Sequence, residues 1–265
     1  MHSADPVLPV ELERLIFELA AWQDPETIFA LILVAKRVCM WIEPELYHIV
    51  LFRKRLLPML ESKPAEFLRQ HIHHLAIPAG IEYADVVRIL STCTDVHNLA
   101  IWNNTATRPE LLPLLCKLTN LQRLSTTLFA LCGGFDARLR IPPPEELPFA
   151  NLTHLDIFGL FPEQLWPVFK MLPRLTHLSL STNTQPPALI NAALNACPLL
   201  QVLAVVWVGM SVLPDESKIS ADPRFCIVQC SHHEFDWKLG AWGGATFGAG
   251  ERRRWRTKSA SDKKV

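Results

Sequence analysis

Long apolar runs are missing from this 265-residue chain. The longest, Ile28 to Ala35, has eight residues, against the roughly 20 that a membrane helix needs. A membrane span of that kind is excluded, and no membrane partner is expected. Glycine is scarce, 10 residues beside 21 prolines, which rules out collagen-like and Gly/Ser-linker architectures. Catalytic signatures are missing too: there is no G-x-S-x-G, no Walker loop and no H-E-x-x-H. No enzyme activity, catalytic residue, cofactor or metal is therefore expected. The opening MHSADPVLPV has neither a basic nor an apolar leader segment, so no secretory signal is expected. Seven cysteines form an odd set without paired spacing, which favours reduced thiols and a cytoplasmic or nuclear setting. In that setting the sequons at Asn103 and Asn151 have no role.

Net charge is also lacking, with 26 basic against 26 acidic residues, but its distribution is uneven. Residues 251–265 hold seven Lys/Arg and two Asp/Glu, leaving residues 1–250 with 19 against 24. The body is mildly acidic, so no nucleic-acid partner is expected, and the basic end reads as a solvated tail. What is abundant is leucine, 41 of 265 residues, within a 49% hydrophobic composition that can fill a sizeable core.

The leucines are periodic. A six-residue pattern, apolar-x-x-Leu-x-apolar, recurs with central leucines at 75, 99, 124, 155, 178 and 203, spaced 24, 25, 31, 23 and 25 residues apart. Between the motifs lie helical segments: Tyr83–Cys93, Pro109–Leu118, Pro162–Leu172 and Pro187–Cys197. Several start at a proline, which suits a first helical turn. Short strand, helix and next strand is the unit that parallel pairing requires. It resembles the leucine-rich repeat, with the full L-x-x-L-x-L-x-x-N pattern at Leu175, Leu178, Leu180 and Asn183, and with Val first at Val96, Leu99, Ile101 and Asn104. Thr126 stands where an apolar residue belongs, so the repeat is degenerate. The resemblance covers about residues 72–206, with a last strand near Phe225–Gln229.

Strand alternation sends the Leu and Ile of each motif into the core and the residues between them to an exposed, concave sheet face. On that face stand His74, Asn98, Arg123, His154, His177 and Val202, then Ala76, Ala100, Ser125, Asp156, Ser179 and Ala204, then Pro78, Trp102, Thr127, Phe158, Ser181 and Val206. Repeat arrays hold partners on such faces, and aromatics and Arg carry interface energy. The candidate substrate-binding residues are Trp102, Arg123, His154, Asp156, Phe158 and His177. Cys93 and Cys197 stand six residues before their central Leu, as do Leu118, Phe149 and Leu172, and read as core. Alternation in the last strand assigns Cys226 and Val228 to the core. Cys226, Cys230, His232 and His233 have the wrong spacing for a zinc finger. The 31-residue gap contains an insertion, Leu128 to Pro148, that reads as a loop.

The amino-terminal segment is different. Pro9 precedes an i, i+3, i+4, i+7 apolar stripe of Leu12, Leu15, Ile16 and Leu19. Asp24-Pro25 offers a cap and first turn for a second helix running from Glu26 to about Val34, apolar almost all round. Lys36 to Tyr47 reads as a third helical piece broken at Pro44. The segment from Leu8 to Tyr47 resembles an F-box, especially the divergent F-boxes of fungal proteins with weak leucine-rich repeats. Leu8, Pro9, Glu11, Leu12, Ile16, Phe17, Leu19, Asp24, Pro25, Leu31, Val34, Lys36, Arg37 and Trp41 carry the resemblance, while Val38 departs from the usual Trp.

The expected architecture is thus α/β. A short all-α F-box-like three-helix unit (6–50) precedes a helical linker (51–71) and a degenerate leucine-rich-repeat solenoid (72–230). A Gly-containing loop with a basic tail (231–265) follows. The resemblance implies a substrate-recognition subunit of an SCF-type cullin–RING ubiquitin ligase. Leu8, Pro9, Leu12, Ile16, Leu31 and Val34 would line the contact with a Skp-type adaptor, and the repeats would hold an unknown protein target. The other reading is a non-catalytic repeat scaffold whose F-box no longer engages a ligase.

Overall fold

Prolines and one aspartate set out the amino-terminal helices. The computed structural model describes residues 8–103, 107–134, 139, 141, 143, 149–181, 187–208, 219–230 and 232–241. Helix α1 (Val10–Gln23) begins directly after Pro9, whose carbonyl accepts from Leu12 and Glu13. Asp24 then caps a 3-10 turn at Pro25–Thr27: its side chain accepts from the Glu26 amide at 3.2 Å, and Thr27 Oγ1 donates to its carbonyl at 2.7 Å. Helix α2 is only Ile28–Leu31. α3 (Lys36–Ile42) and α4 (Glu45–His48) are separated at Pro44. Ala21, Ile28, Val38 and Ile42 form a small buried core. A forked ion pair from Arg37 to Glu13, at 2.7 Å and 3.1 Å, ties α3 to α1.

The remainder is α/β, built on an eight-stranded, all-parallel sheet whose strands stand in sequence order. They are β1 (Ile49–Leu51), β2 (His74–Ile77), β3 (Asn98–Ile101), β4 (Arg123–Thr126), β5 (His154–Phe158), β6 (His177–Ser181), β7 (Val202–Val208) and β8 (Phe225–Cys230). The periodic leucines set the register: Leu75, Leu99, Leu124, Leu155, Leu178 and Leu203 pair with one another from strand to strand. Strand β1 adds a rung before the first motif, Val50 beside Leu75, so the expected boundary after residue 50 falls inside a strand.

Helical crossovers fill the intervals. α5 (Met59–Ser62) and α6 (Ala65–His71) follow Pro58 and Pro64, α7 spans Tyr83–Thr92, and α8 (Leu112–Leu115) continues a 3-10 turn. α9 (Leu128–Leu131) opens the long interval, most of whose insertion lies outside the described residues. The segment Glu163–Met171 is 3-10 helix, with Pro167 inside it. Proline has no N–H for an i→i−4 bond and clashes with the preceding turn. α10 (Pro187–Ala196) crosses from β6 to β7. Helix and strand side chains meet in one core, which holds Leu75, Ile77, Leu99, Ile101, Leu155, Ile157, Leu178 and Leu180. Each such burial contributes about 1.5–3 kcal/mol. Cys93, Leu118, Phe149, Leu172 and Cys197 are all buried there.

Two expectations are corrected. In β8 the core residues are Phe225 and Ile227, paired with Leu203 and Val205, whereas Cys226 and Val228 point to the other face beside Ala204 and Val206. The register there is set by the rung with β7, one residue away from the expected alternation. Second, part of the expected carboxy-terminal loop is a helix, α11 (His233–Ala241). In the turn after β3 the buried Asn103 donates from its side chain to the Ile81 carbonyl. Asn104 and Asn183 of the repeat pattern lie outside the described residues, as do the glycines from 243 on and the basic tail.

Candidate functional site

Helix α11 lies across the sheet face that sequence alternation left open. Its inward residues are His233, Asp236, Trp237, Gly240 and Ala241, an i, i+3, i+4, i+7, i+8 set, while Phe235 points to solvent. Trp237 Nε1 donates to Asn98 Oδ1 at 3.3 Å, and its ring meets Trp102 edge-on with centroids 6.0 Å apart. His233 meets the Phe158 ring at 5.1 Å. At the near end Cys230 Sγ lies 3.1 Å from Asp236 Oδ2, and at the far side Glu234 pairs with Arg53 beyond β1. The face is therefore covered rather than exposed: Ala76, Ala100, Ser125, Ser179 and Ala204 are buried.

Between α11 and the strands remains a cavity of about 100 Å³, and all six candidate substrate-binding residues line it: Trp102, Arg123, His154, Asp156, Phe158 and His177. The sheet register brings them together. Arg123, His154 and His177 occupy one rung with Asn98, and Ser125, Asp156 and Ser179 the rung two residues along. The strand residues that alternation placed on this face include Ser125 and Ser181. The α11 and β8 contributions, His233, Asp236, Trp237 and Cys230, were not foreseen. The helical spacing of His233, Trp237 and Ala241 was the available signal.

Each polar group has a distinct environment. Asp156 accepts from Ser125 Oγ and Ser181 Oγ, one on each oxygen at 2.9 Å, and Ser125 accepts from Trp102 Nε1 at 3.0 Å. Burial pushes the Asp156 carboxyl above its ordinary range, and the surrounding serine hydroxyls oppose the rise. The His154 and His177 rings stack in parallel, 4.3 Å apart. Each Nδ1 bonds the hydroxyl of the preceding threonine, Thr153 or Thr176, at 2.9 Å. Burial, with His177 and Arg123 nearby, lowers His154 to about 3, and burial and Arg123 lower His177. Both rings are neutral at pH 7. Burial likewise lowers Arg123, whose guanidinium makes no hydrogen bond or ion pair within the described residues. Cys230, pushed up to about 12 by burial and Asp236, stays a thiol and is a poor nucleophile. The arrangement suits holding a ligand by one cation, neutral imidazoles and aromatic walls.

Among the described residues one group of ligand-type side chains lies within mutual reach of a metal: His73, Asp95 and His97. They sit just before β2 and β3, outside the cavity lining, with the two rings stacked at 5.0 Å. Cys226, Cys230, His232 and His233 do not converge in this way.

A second surface belongs to the helical unit. Its strongest apolar stripe faces outward: Leu12, Leu15, Ile16 and Leu19 of α1 are exposed, as are Leu8, Pro9, Phe29, Leu33, Val34 and Met40. Exposure reaches 53% at Ile16 and 82% at Leu33. The inward side of α1 is instead Phe17 and Ala21, beside Glu13 and its Arg37 partner. Of the six candidate adaptor-binding residues, Leu8, Pro9, Leu12, Ile16 and Val34 are exposed, and Leu31 is half-buried against the small core. No model of a known protein family matches the chain, and no curated protein matches it either.

Proposed function

We propose that this chain is the substrate-recognition subunit of an SCF-type cullin–RING ubiquitin ligase, itself non-catalytic. The helical unit is then an F-box that docks on a Skp-type adaptor, and the strand–helix array is a degenerate leucine-rich-repeat solenoid that selects a target protein. The observation that carries this reading is the outward apolar face of the amino-terminal helices. A run of exposed Leu, Ile, Phe and Val on adjoining helices is costly in water and marks a protein-binding surface. Its i, i+3, i+4, i+7 spacing on α1 is the pattern of helix recognition by apolar anchors. The ion pair from Arg37 to Glu13 holds α3 against α1 on the opposite side, leaving that face free. Target selection falls to the strand–helix array of the second half of the molecule.

A pull-down of the tagged full chain with a purified Skp-type adaptor tests this. The adaptor is retained by the wild type and lost with Leu12→Asp plus Ile16→Asp, and with Leu8→Asp plus Pro9→Ala. Because these side chains are exposed, the thermal melt of each variant stays within a few degrees of wild type. A wild type that captures no adaptor, or variants that capture it equally well, overturn the proposal.

A further inference from the structure

Arg123 is the group in the cavity whose needs the protein leaves unmet. Its guanidinium is partly withdrawn from water, and no described residue accepts a hydrogen bond from it or pairs with it. A desolvated cation without a counter-charge is expensive. The rung it occupies, His74, Asn98, Arg123, His154 and His177, contains no carboxylate. The nearest acid by register, Asp156, stands two residues along the strand, about 6.6 Å away in rise, and is engaged by Ser125 and Ser181. Asp236, from the helix above, is engaged by Cys230. The histidines beside Arg123 commit Nδ1 to threonine hydroxyls, and their Nε2 atoms have no partner among the described residues. Trp102, Phe158 and Trp237 line the same cavity.

We infer that the cavity beneath α11 binds a small organic acid, its carboxylate or phosphate head on Arg123 and its apolar body among Trp102, Phe158 and Trp237. The guanidinium fork matches both head groups in bidentate geometry. A space of about 100 Å³ admits a small molecule and nothing larger. Because α11 roofs the strands, the occupant is a free small molecule rather than the flat surface of a protein. The inference stands on the cavity and does not depend on adaptor docking.

Saturation-transfer NMR on the full chain tests it with three probes: phenylacetate, phenyl phosphate and the neutral phenylacetamide. Both acids bind and compete with each other, and the amide binds at least about tenfold more weakly. Arg123→Gln weakens both acids about tenfold or more, to the level of the amide, and Arg123→Lys falls between. Acids that bind no better than the amide, acids that do not compete, or undiminished binding by Arg123→Gln overturn the assignment. So does the absence of transfer to either acid. The probe comparison on the wild type decides the matter even if the Gln variant fails to fold. Capture of a Skp-type adaptor is read separately in each protein. Loss of acid binding with adaptor capture intact refutes the cavity ligand alone, and the reverse refutes the ligase reading alone.

Discussion

The helical unit and the sheet treat the same kinds of residue in opposite ways. In the sheet, leucine and isoleucine turn inward at every motif, and the core runs unbroken from Val50 to Ile227. In the helices before it four residues make the buried core, while Leu12, Leu15, Ile16, Leu19, Phe29, Leu33 and Val34 face outward. A stretch of apolar periodicity therefore specifies a face without saying what covers it. In the sheet the crossover helices cover it. In the amino-terminal unit nothing among the described residues does, and the proposed adaptor would be the cover.

That contrast predicts its own largest effect. Leu155→Ala, in the middle of the sheet, costs about 2–5 kcal/mol by transfer and cavity terms. Leu15→Ala, of the same chemistry on α1, stays within about 0.5 kcal/mol. Chemical denaturation of both variants checks this. Comparable losses would mean that the α1 stripe is packed in solution, and the two regions would no longer differ.

A smaller effect separates the two cores. Ile28→Ala removes a quarter of the residues that make the helical core, yet it touches none of the sheet core. Hydrogen exchange should accelerate across residues 10–48 while β3 to β7 stay protected, because local units open independently when few apolar contacts join them. Uniform acceleration would show one cooperative structure.

Much of this was legible from residue types. The central leucines announced the sheet register, and alternation brought Arg123, His154, Asp156 and His177 to one face. Cys226 and Val228 were misassigned because β8 carries apolar side chains on both faces, Phe225 and Ile227 on one and Val228 on the other, so alternation had no polar side to read. Helix α11 was hidden by its composition. His233, Asp236 and Trp237 keep helical spacing but are not a hydrophobic stripe, so the spacing alone does not say that their face packs on Phe158, Cys230 and Trp102. Strand β1 was obscured by its length of three residues.

Acid should act on the joint between the regions. His48 of α4 meets His74 of β2 at 5.1 Å and Trp22 of α1 at 5.2 Å. Burial, reinforced by neighbouring histidines, lowers both His48 and His74 to about 4, and His154 to about 3. A histidine whose folded pKa lies below its unfolded value of about 6.5 is stabilising while neutral. That contribution is intact above pH 6.5 and is lost as the pH falls towards 4. Asp156 and Glu45, raised by burial, work in the opposite sense, but they are two groups against five, since burial also lowers His71 and His177. The melting temperature should decline between pH 6.5 and 4.5, and His48→Gln should flatten the decline. A melting temperature that holds or rises over that range would mean that these imidazoles accept protons without strain.

The smallest effect tests the weakest rung. Thr126 occupies the position that is Ile101 on one neighbouring strand and Ile157 on the other. It is 0% exposed, and its hydroxyl has no partner among the described residues. A buried hydroxyl without a hydrogen bond forfeits its hydration for nothing, and replacing it by a methyl group removes that cost. Thr126→Val keeps the β-branched shape that a strand prefers. It should therefore stabilise the protein by about 1 kcal/mol, a rise of about 2–4 °C in the melting temperature for a chain of this size. A fall instead would show that the hydroxyl is bonded in solution. Position 126 would then be a polar rung that the sheet needs, where the aliphatic pattern of its neighbours makes it a lapse that the sheet tolerates.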